Sequence, residues 1–181
     1  MRGLLVPIFL LTASPAMAEW HTAHRLNAVV IYTAAVGDPH GPMLSIQCDR
    51  RQLSTTVYWR QPMAGSNAQS LSYRLDGSAW VREQWQLSTT HDALGQWDWR
   101  AVPLTRRLLE AKQLSIRAIT RRGTAVEAKF NVAGLNNAIS PVAKACPASA
   151  RGLQRRGVTV AASTCDFLCR LRAFKNDTLG M

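Results

Sequence analysis

Leu114-Ser115-Ile116-Arg117-Ala118, the turn Thr120-Arg121-Arg122-Gly123, and Val126-Glu127-Ala128-Lys129-Phe130-Asn131-Val132 together decide the fold. On both arms apolar and polar residues alternate with the period of two that a half-buried strand requires, because successive side chains point to opposite faces. The glycine-ended turn joins them into a hairpin, with Arg117, Glu127 and Lys129 on its wet face. Upstream the same period returns in Ala28 to Thr33, in Leu44, Ile46 and Cys48, in Leu53, Thr55, Val57 and Trp59, and in Leu71, Tyr73 and Leu75. Ser72, Arg74 and Asp76 then fall on the opposite face, and Cys48 points inward. Residues 61–69, rich in Pro, Gly, Ser and Asn, read as a loop, and Trp85 with Leu87 marks one more strand after the turn Asp76-Gly77-Ser78.

Between His91 and Lys112 the period changes. Pro103 suits a first helical turn, and Leu104, Leu108 and Ala111 recur at helical spacing while Arg106, Arg107 and Glu110 can stay in water. Leu135 to Ala145 reads as a second helical segment, interrupted at Pro141 and reaching Cys146. The expected fold class is therefore mainly β: a single antiparallel β-sandwich-like domain with one or two short helices and a basic C-terminal tail.

The N-terminus carries a different signal. Met1-Arg2 precedes an apolar run from Leu4 to Leu11, and Ala16-Met17-Ala18 offers the small-x-small pattern that a signal peptidase cuts after. Residues 1–18 are thus expected to be a signal peptide, residues 19–146 a β-rich periplasmic domain and residues 147–181 the tail. Removing eighteen residues from 181 leaves 163, enough for one domain and a tail. Export implies an oxidising compartment, where Cys48, Cys146, Cys165 and Cys169 are expected in disulfides. A bridge between Cys48 and Cys146 would close a loop of about a hundred residues and stabilise the domain by ~4–5 kcal/mol in the chain-entropy model. Cys165 and Cys169 are then left to pair with each other, with a partner chain, or not at all.

With 22 Lys and Arg against 11 Asp and Glu, the chain has a formal charge of +11, one less after loss of Arg2. Outside the cytoplasm such a charge attracts phospholipid headgroups, lipopolysaccharide or anionic wall polymers, and no nucleic acid is expected as ligand. Ser163 or Thr164 can cap a helix that gathers Phe167, Leu168, Leu171 and Phe174 on one face, bordered by Arg170, Arg172 and Lys175. Phe167, Arg170, Leu171 and Arg172 are accordingly candidate contacts to a partner or an anionic surface. Among the six tryptophans, Trp80, Trp85, Trp97 and Trp99 form the nearest grouping. Indole faces stack on sugars, but the plainer expectation puts Trp59 and Trp85 in the core.

Catalytic and metal chemistry find little purchase. His91-Asp92 beside Ser88, Thr89 and Thr90 reads more readily as a turn and helix N-cap than as part of a triad. Cys165 and Cys169 could join His21 and His24 around zinc only if the two ends of the chain met. No Gly-x-Ser-x-Gly, His-Glu-x-x-His or phosphate-cradling glycine loop occurs. The expectation is a protein without catalytic residues, metal or cofactor.

Leu44 to Cys48, Ser72-Tyr73-Arg74-Leu75-Asp76-Gly77 with Trp85 and Ser88 following, Leu104 to Ile116, and Phe130-Asn131-Val132-Ala133-Gly134-Leu135 running to Cys146 carry a resemblance. In this order they resemble the VasI/TagO-type periplasmic proteins associated with type VI secretion, over roughly residues 20–146. The resemblance implies a compact β-rich domain with an accessory role at the cell envelope and no catalytic residues to carry over. Cys48 and Cys146 match the family's early and late cysteines, and Arg74 with Asp76 its central Arg-hydrophobic-Asp element. After Cys146 the chain departs from the pattern for 35 residues. The functional expectation is an exported, non-enzymatic accessory or binding protein whose partner is an envelope protein or secretion-apparatus component. The alternative is a binder of anionic membrane or lipopolysaccharide acting through the tail, with a cell-wall enzyme as the least favoured reading. Arg74, Asp76, Trp80 and Trp85 are the candidate binding residues of the domain itself, with Arg74 and Asp76 expected to form a local charged pair.

Overall fold

A computed structural model describes residues 18–153. Among them nine strands form one antiparallel sheet in the order β1-β2-β3-β4-β7-β6-β5-β8-β9. The strands are β1 (His21–Arg25), β2 (Ala28–Ala35), β3 (Asp38–Asp49), β4 (Gln52–Tyr58), β5 (Ala68–Leu75), β6 (Val81–Leu87), β7 (Ala93–Trp97), β8 (Gln113–Ile119) and β9 (Ala125–Asn131). Four helices accompany them: α1 (Ala101–Glu110), α2 (Leu135–Ala138), α3 (Ser140–Ala145) and α4 (Pro147–Leu153). The domain is mainly β and sandwich-like. Its sheet curls until the backbone N–H of Val36, just past a bulge in β2, donates to the carbonyl of Lys129 in β9.

Helices fill the inside of that curl. Leu104 and Leu108 of α1 are fully buried, each worth roughly 1.5–3 kcal/mol as apolar burial. Two hydroxyls fix the helix on β4: Thr55 Oγ1 and Thr105 Oγ1 lie 2.7 Å apart, and Thr105 also donates to the carbonyl of Ala101. The inward row of Leu44, Ile46 and Cys48 on β3 meets Val57, Thr55 and Leu53 on β4, as the period of two requires. Cys48 and Cys146 are disulfide-bonded, with a Cα–Cα distance of 5.7 Å. The bridge thereby pins the end of α3 to the inward face of β3.

The hairpin of β8 and β9 has the expected register, with Arg117 opposite Glu127, and Gly123 takes the left-handed φ of +81° that its turn demands. Several local expectations need correction. Ser88 to Asp92 is a turn between β6 and β7 and caps no helix; Ser88 Oγ donates to Asp92 Oδ1 and accepts the N–H of Ala93. A strand, β7, stands where the periodicity suggested only a change toward helix. Ala93 to Gln96 are all buried, so neither face shows the alternation by which a half-wet strand is recognised. Gly95 is required in it, since a Cβ there would lie 2.7 Å from the carbonyl oxygen of Thr55. Leu135 to Ala145 is split into α2 and α3 around Ile139, with Pro141 tolerated at the start of α3, where its missing N–H has no helical partner to lose.

The folded unit also runs past Cys146. α4 packs on α1 and α3, Leu153 is buried in the core, and Arg106 donates to the carbonyl of Gly152. Residues 147–153 lack an obvious apolar period because one buried leucine, rather than a stripe, anchors so short a helix. The expected signal peptide, the tail helix and the cysteines Cys165 and Cys169 lie outside the described residues.

Candidate functional site

On the outward face of the sheet, strand register assembles a cationic patch. Arg82 on β6 stands opposite Ser72 on β5, which stands opposite Arg117 on β8 and, beyond it, Glu127 on β9. Two residues along, Arg74, Ser115 and Lys129 form the next row. Residues directly opposite one another share a face, so Arg74, Arg82, Arg117 and Lys129 stand on the same side as the carboxylate of Glu127.

The turn after β5 brings Trp80 into this patch. Asp76 and Gly77 both take positive φ, 49° and 72°, and the N–H of Ser78 donates to the carbonyl of Leu75; Asp-Gly is a pair that favours this mirror-image turn. The chain then returns so that the Trp80 ring has Arg117 Cζ 4.1 Å and Arg74 Cζ 4.6 Å from its centroid. At a partly exposed ring such contacts contribute about 0.5 kcal/mol each. The two guanidiniums differ in charge balance. Arg117 Nε donates to Glu127 Oε2 at 2.7 Å, whereas Arg74 has no carboxylate within ion-pair distance among the described residues. Its Nε is moreover buried without a hydrogen-bond partner there. An incoming carboxylate or phosphate would complete this group, since a guanidinium presents donors in a fork that matches both.

Asp76 does something other than pair with Arg74. Its Oδ1 accepts the backbone N–H groups of Lys112 and Gln113, both at 2.8 Å, tying the β5–β6 turn to the start of β8. The expected charged pair is therefore replaced by two different jobs. Arg74 lies on an indole, and Asp76 satisfies a backbone. Trp85 also leaves the expected binding group: it is fully buried, because β6 turns Trp85 to the core together with Glu83. Trp59 is buried as well, while Trp99 is 74% exposed. His21 stacks on Tyr32 across β1 and β2. Phe167, Arg170, Leu171 and Arg172 lie outside the described residues. Arg82 and Lys129 were not singled out from sequence as binding residues; the signal for them was the cross-strand register, which alternation within one strand does not reveal.

Beneath the inward edge of β6 a second cluster joins Tyr73, Glu83, Trp85 and Arg107. Trp85 Nε1 donates to Glu83 Oε2 at 3.3 Å, Arg107 Nη2 lies 3.9 Å from the same oxygen, and the Arg107 guanidinium covers the Tyr73 ring. Burial pushes the Tyr73 phenol up to about 12, with Glu83 adding to the rise and Arg107 opposing it. The folded state thus holds this proton more tightly than the unfolded chain, whose tyrosine titrates near 10. Stability from this group is complete below about pH 10 and is lost as pH rises through about 12, by ~2–3 kcal/mol. Urea titrations between pH 9 and 12 should show that loss, and Tyr73→Phe should flatten it; an unchanged slope in the variant would assign the loss to other groups. With its charges committed to one another, this cluster works as a clamp of α1 on the sheet.

Among the described residues no group of three or more His, Cys, Asp or Glu converges as a metal set, and no helix is long and apolar enough to cross a membrane. The arrangement defines a class: a disulfide-stapled, mainly β domain displaying an arginine-flanked tryptophan on its outward face. No protein-family profile matches the chain, and no curated protein matches it. A crystal structure of invasion associated protein b from Bartonella henselae aligns with TM-score 0.49 and 10% sequence identity, over 74% of this chain and 97% of that one.

Proposed function

We propose that the chain is an exported, non-enzymatic accessory protein of the cell envelope that binds an acidic partner protein through the face built by Arg74, Trp80, Arg82, Arg117 and Lys129. The observation that carries this reading is Arg74: a guanidinium fixed on an indole, its Nε shielded from water, with no carboxylate within ion-pair distance among the described residues. Aromatic and arginine side chains are the residue types that most often dominate binding energy at interfaces. Export follows from the N-terminal apolar run and Ala16-Met17-Ala18, and the disulfide is of the kind an oxidising compartment permits. A component of a type VI-like secretion apparatus is the partner that the VasI/TagO resemblance brings to this reading.

Envelope extract passed over the exported protein and over its Arg74→Ala and Trp80→Ala variants tests the proposal. Both variants should keep the parent's thermal midpoint to within a few degrees and lose tenfold or more in affinity for the captured acidic protein, about 1.4 kcal/mol. Equal capture by all three proteins refutes the binding face, and an exported chain whose N-terminus is Met1 refutes the processing.

A further inference from the structure

One end of the sheet gathers exposed apolar side chains and arginines that the outward face does not use. Leu26 and Asn27 form the two-residue connection between β1 and β2, and the carbonyl of Asn27 accepts the N–H of Arg50 at the tip of the β3–β4 hairpin. β7 runs toward the same end, since Trp97 pairs with Ser54 near the start of β4. The short 3₁₀ turn Asp98–Arg100 that follows it contacts β4. Leu26 is 98% exposed and Trp99 74% exposed, and Arg25, Arg50, Arg51 and Arg100 are all exposed beside them. The Arg100 guanidinium lies 5.2 Å from the Trp99 ring centroid. Asp49 and Asp98 are the acidic residues of these tips, so arginine outnumbers them two to one.

Two further features belong to this end. The β3–β4 tip places Arg50 and Arg51 at φ of +47° and +68°, a two-residue turn that Asn-Gly would adopt with less strain. Charge is present there at a conformational cost. Gly152 packs against Val102, at the start of α1 directly after the 3₁₀ turn. The sequence after Leu153 carries Arg155, Arg156, Arg170, Arg172 and Lys175 against Asp166 and Asp177.

We propose that this end docks on an anionic phospholipid bilayer, with Leu26 and Trp99 entering the interface and Arg25, Arg50, Arg51 and Arg100 meeting lipid phosphates. Two apolar prongs ringed by arginine fit a surface that is negative at its headgroups and apolar just beneath them. Indole is favoured at that boundary because one edge is apolar and the other donates a hydrogen bond. The partner is a lipid surface rather than the acidic protein of the outward face, and the residues of the two sites do not overlap.

Co-sedimentation of the full exported chain with vesicles of one part phosphatidylglycerol to two of phosphatidylcholine, at low and at high salt, tests this. Binding to these vesicles should exceed binding to pure phosphatidylcholine and weaken as salt rises. Trp99→Ser and Leu26→Ser should each lower it by about fivefold or more. The double variant Arg50→Asn/Arg51→Gly should lower it about tenfold or more while the thermal midpoint holds or rises, because the turn is relieved of strain. Trp80→Ala should bind as the parent does. Parent-level binding by the Leu26, Trp99 and Arg50/Arg51 variants would overturn the proposal and assign any vesicle binding to residues 154–181. Equal binding to neutral vesicles, or capture by lipopolysaccharide without capture by phosphatidylglycerol, would overturn it also.

Discussion

Replacing both Cys48 and Cys146 by alanine should lower the unfolding free energy by about 4 kcal/mol. The bridge spans 98 residues of sequence, and a cross-link over a loop of that size removes ~4–5 kcal/mol worth of freedom from the unfolded chain in the chain-entropy model. Native-state contacts add to this, for both cysteines are buried, at 2% and 1% exposure, and the pair holds α3 against β3. Urea unfolding of the exported protein, oxidised and as the double variant, checks the figure through the midpoint at constant slope. A loss below about 1 kcal/mol would mean that the bridge contributes no constraint. Peptide mapping without reductant provides the second arm. It should recover Cys48 joined to Cys146, and a dominant peptide joining Cys48 to Cys165 or Cys169 would contradict the structure.

That pairing was readable from two facts in the sequence: the inward phase of Cys48 on its strand and the place of Cys146 at the close of the last helix of the domain. The other well-read elements share a property. In β2, β3, β5, β8 and β9 one face is buried and the other wet over much of the length, so their letters alternate. β7 was illegible because burial on both faces erases alternation, and because Gly95 and Gln96 are poor advertisements for a strand. Gly95 is there to let two backbones approach, and Gln96 is there to donate to the carbonyl of Gln84. Both reasons live in the neighbouring strands β4 and β6, not in the letters of β7 itself. β1 was missed for the converse reason: as an exposed edge strand, with only Ala23 half-buried, it has no core-facing row to show.

The candidate site followed the same division. Arg74 and Trp80 were legible as residue types near a turn, but their union was not, since it depends on how the chain returns after Asp76 and Gly77. Asp76 was misjudged because a carboxylate two residues from an arginine on the same strand face invites pairing. The amides of Lys112 and Gln113 compete for it, and these two backbone donors take the carboxylate while the Arg74 guanidinium lies on the Trp80 ring. No local pattern announces amides that lie 36 and 37 residues away.

Trp85→Ala should cost about 3–5 kcal/mol, whereas Trp80→Ala should cost no more than about 1 kcal/mol, although both residues belong to one tryptophan-rich stretch. Trp85 is fully buried, packs near the Tyr73 ring at a centroid distance of 6.1 Å, and donates its indole N–H to Glu83. Truncation therefore opens a cavity, removes the donor from a half-buried carboxylate and loosens the contact between Arg107 and Glu83 that helps hold α1. Trp85→Phe should recover much of the loss, since it restores most of the volume but not the donor. The period of two along β6 already separates the two roles. Val81, Trp85 and Leu87 alternate with Arg82, Gln84 and Gln86, and Trp80 stands just before the strand begins. Chemical denaturation of the three variants measures the difference directly. A Trp85→Ala protein as stable as the parent would remove Trp85 from the core, and a strongly destabilised Trp80→Ala protein would make the arginine-flanked tryptophan a structural element instead of a docking surface.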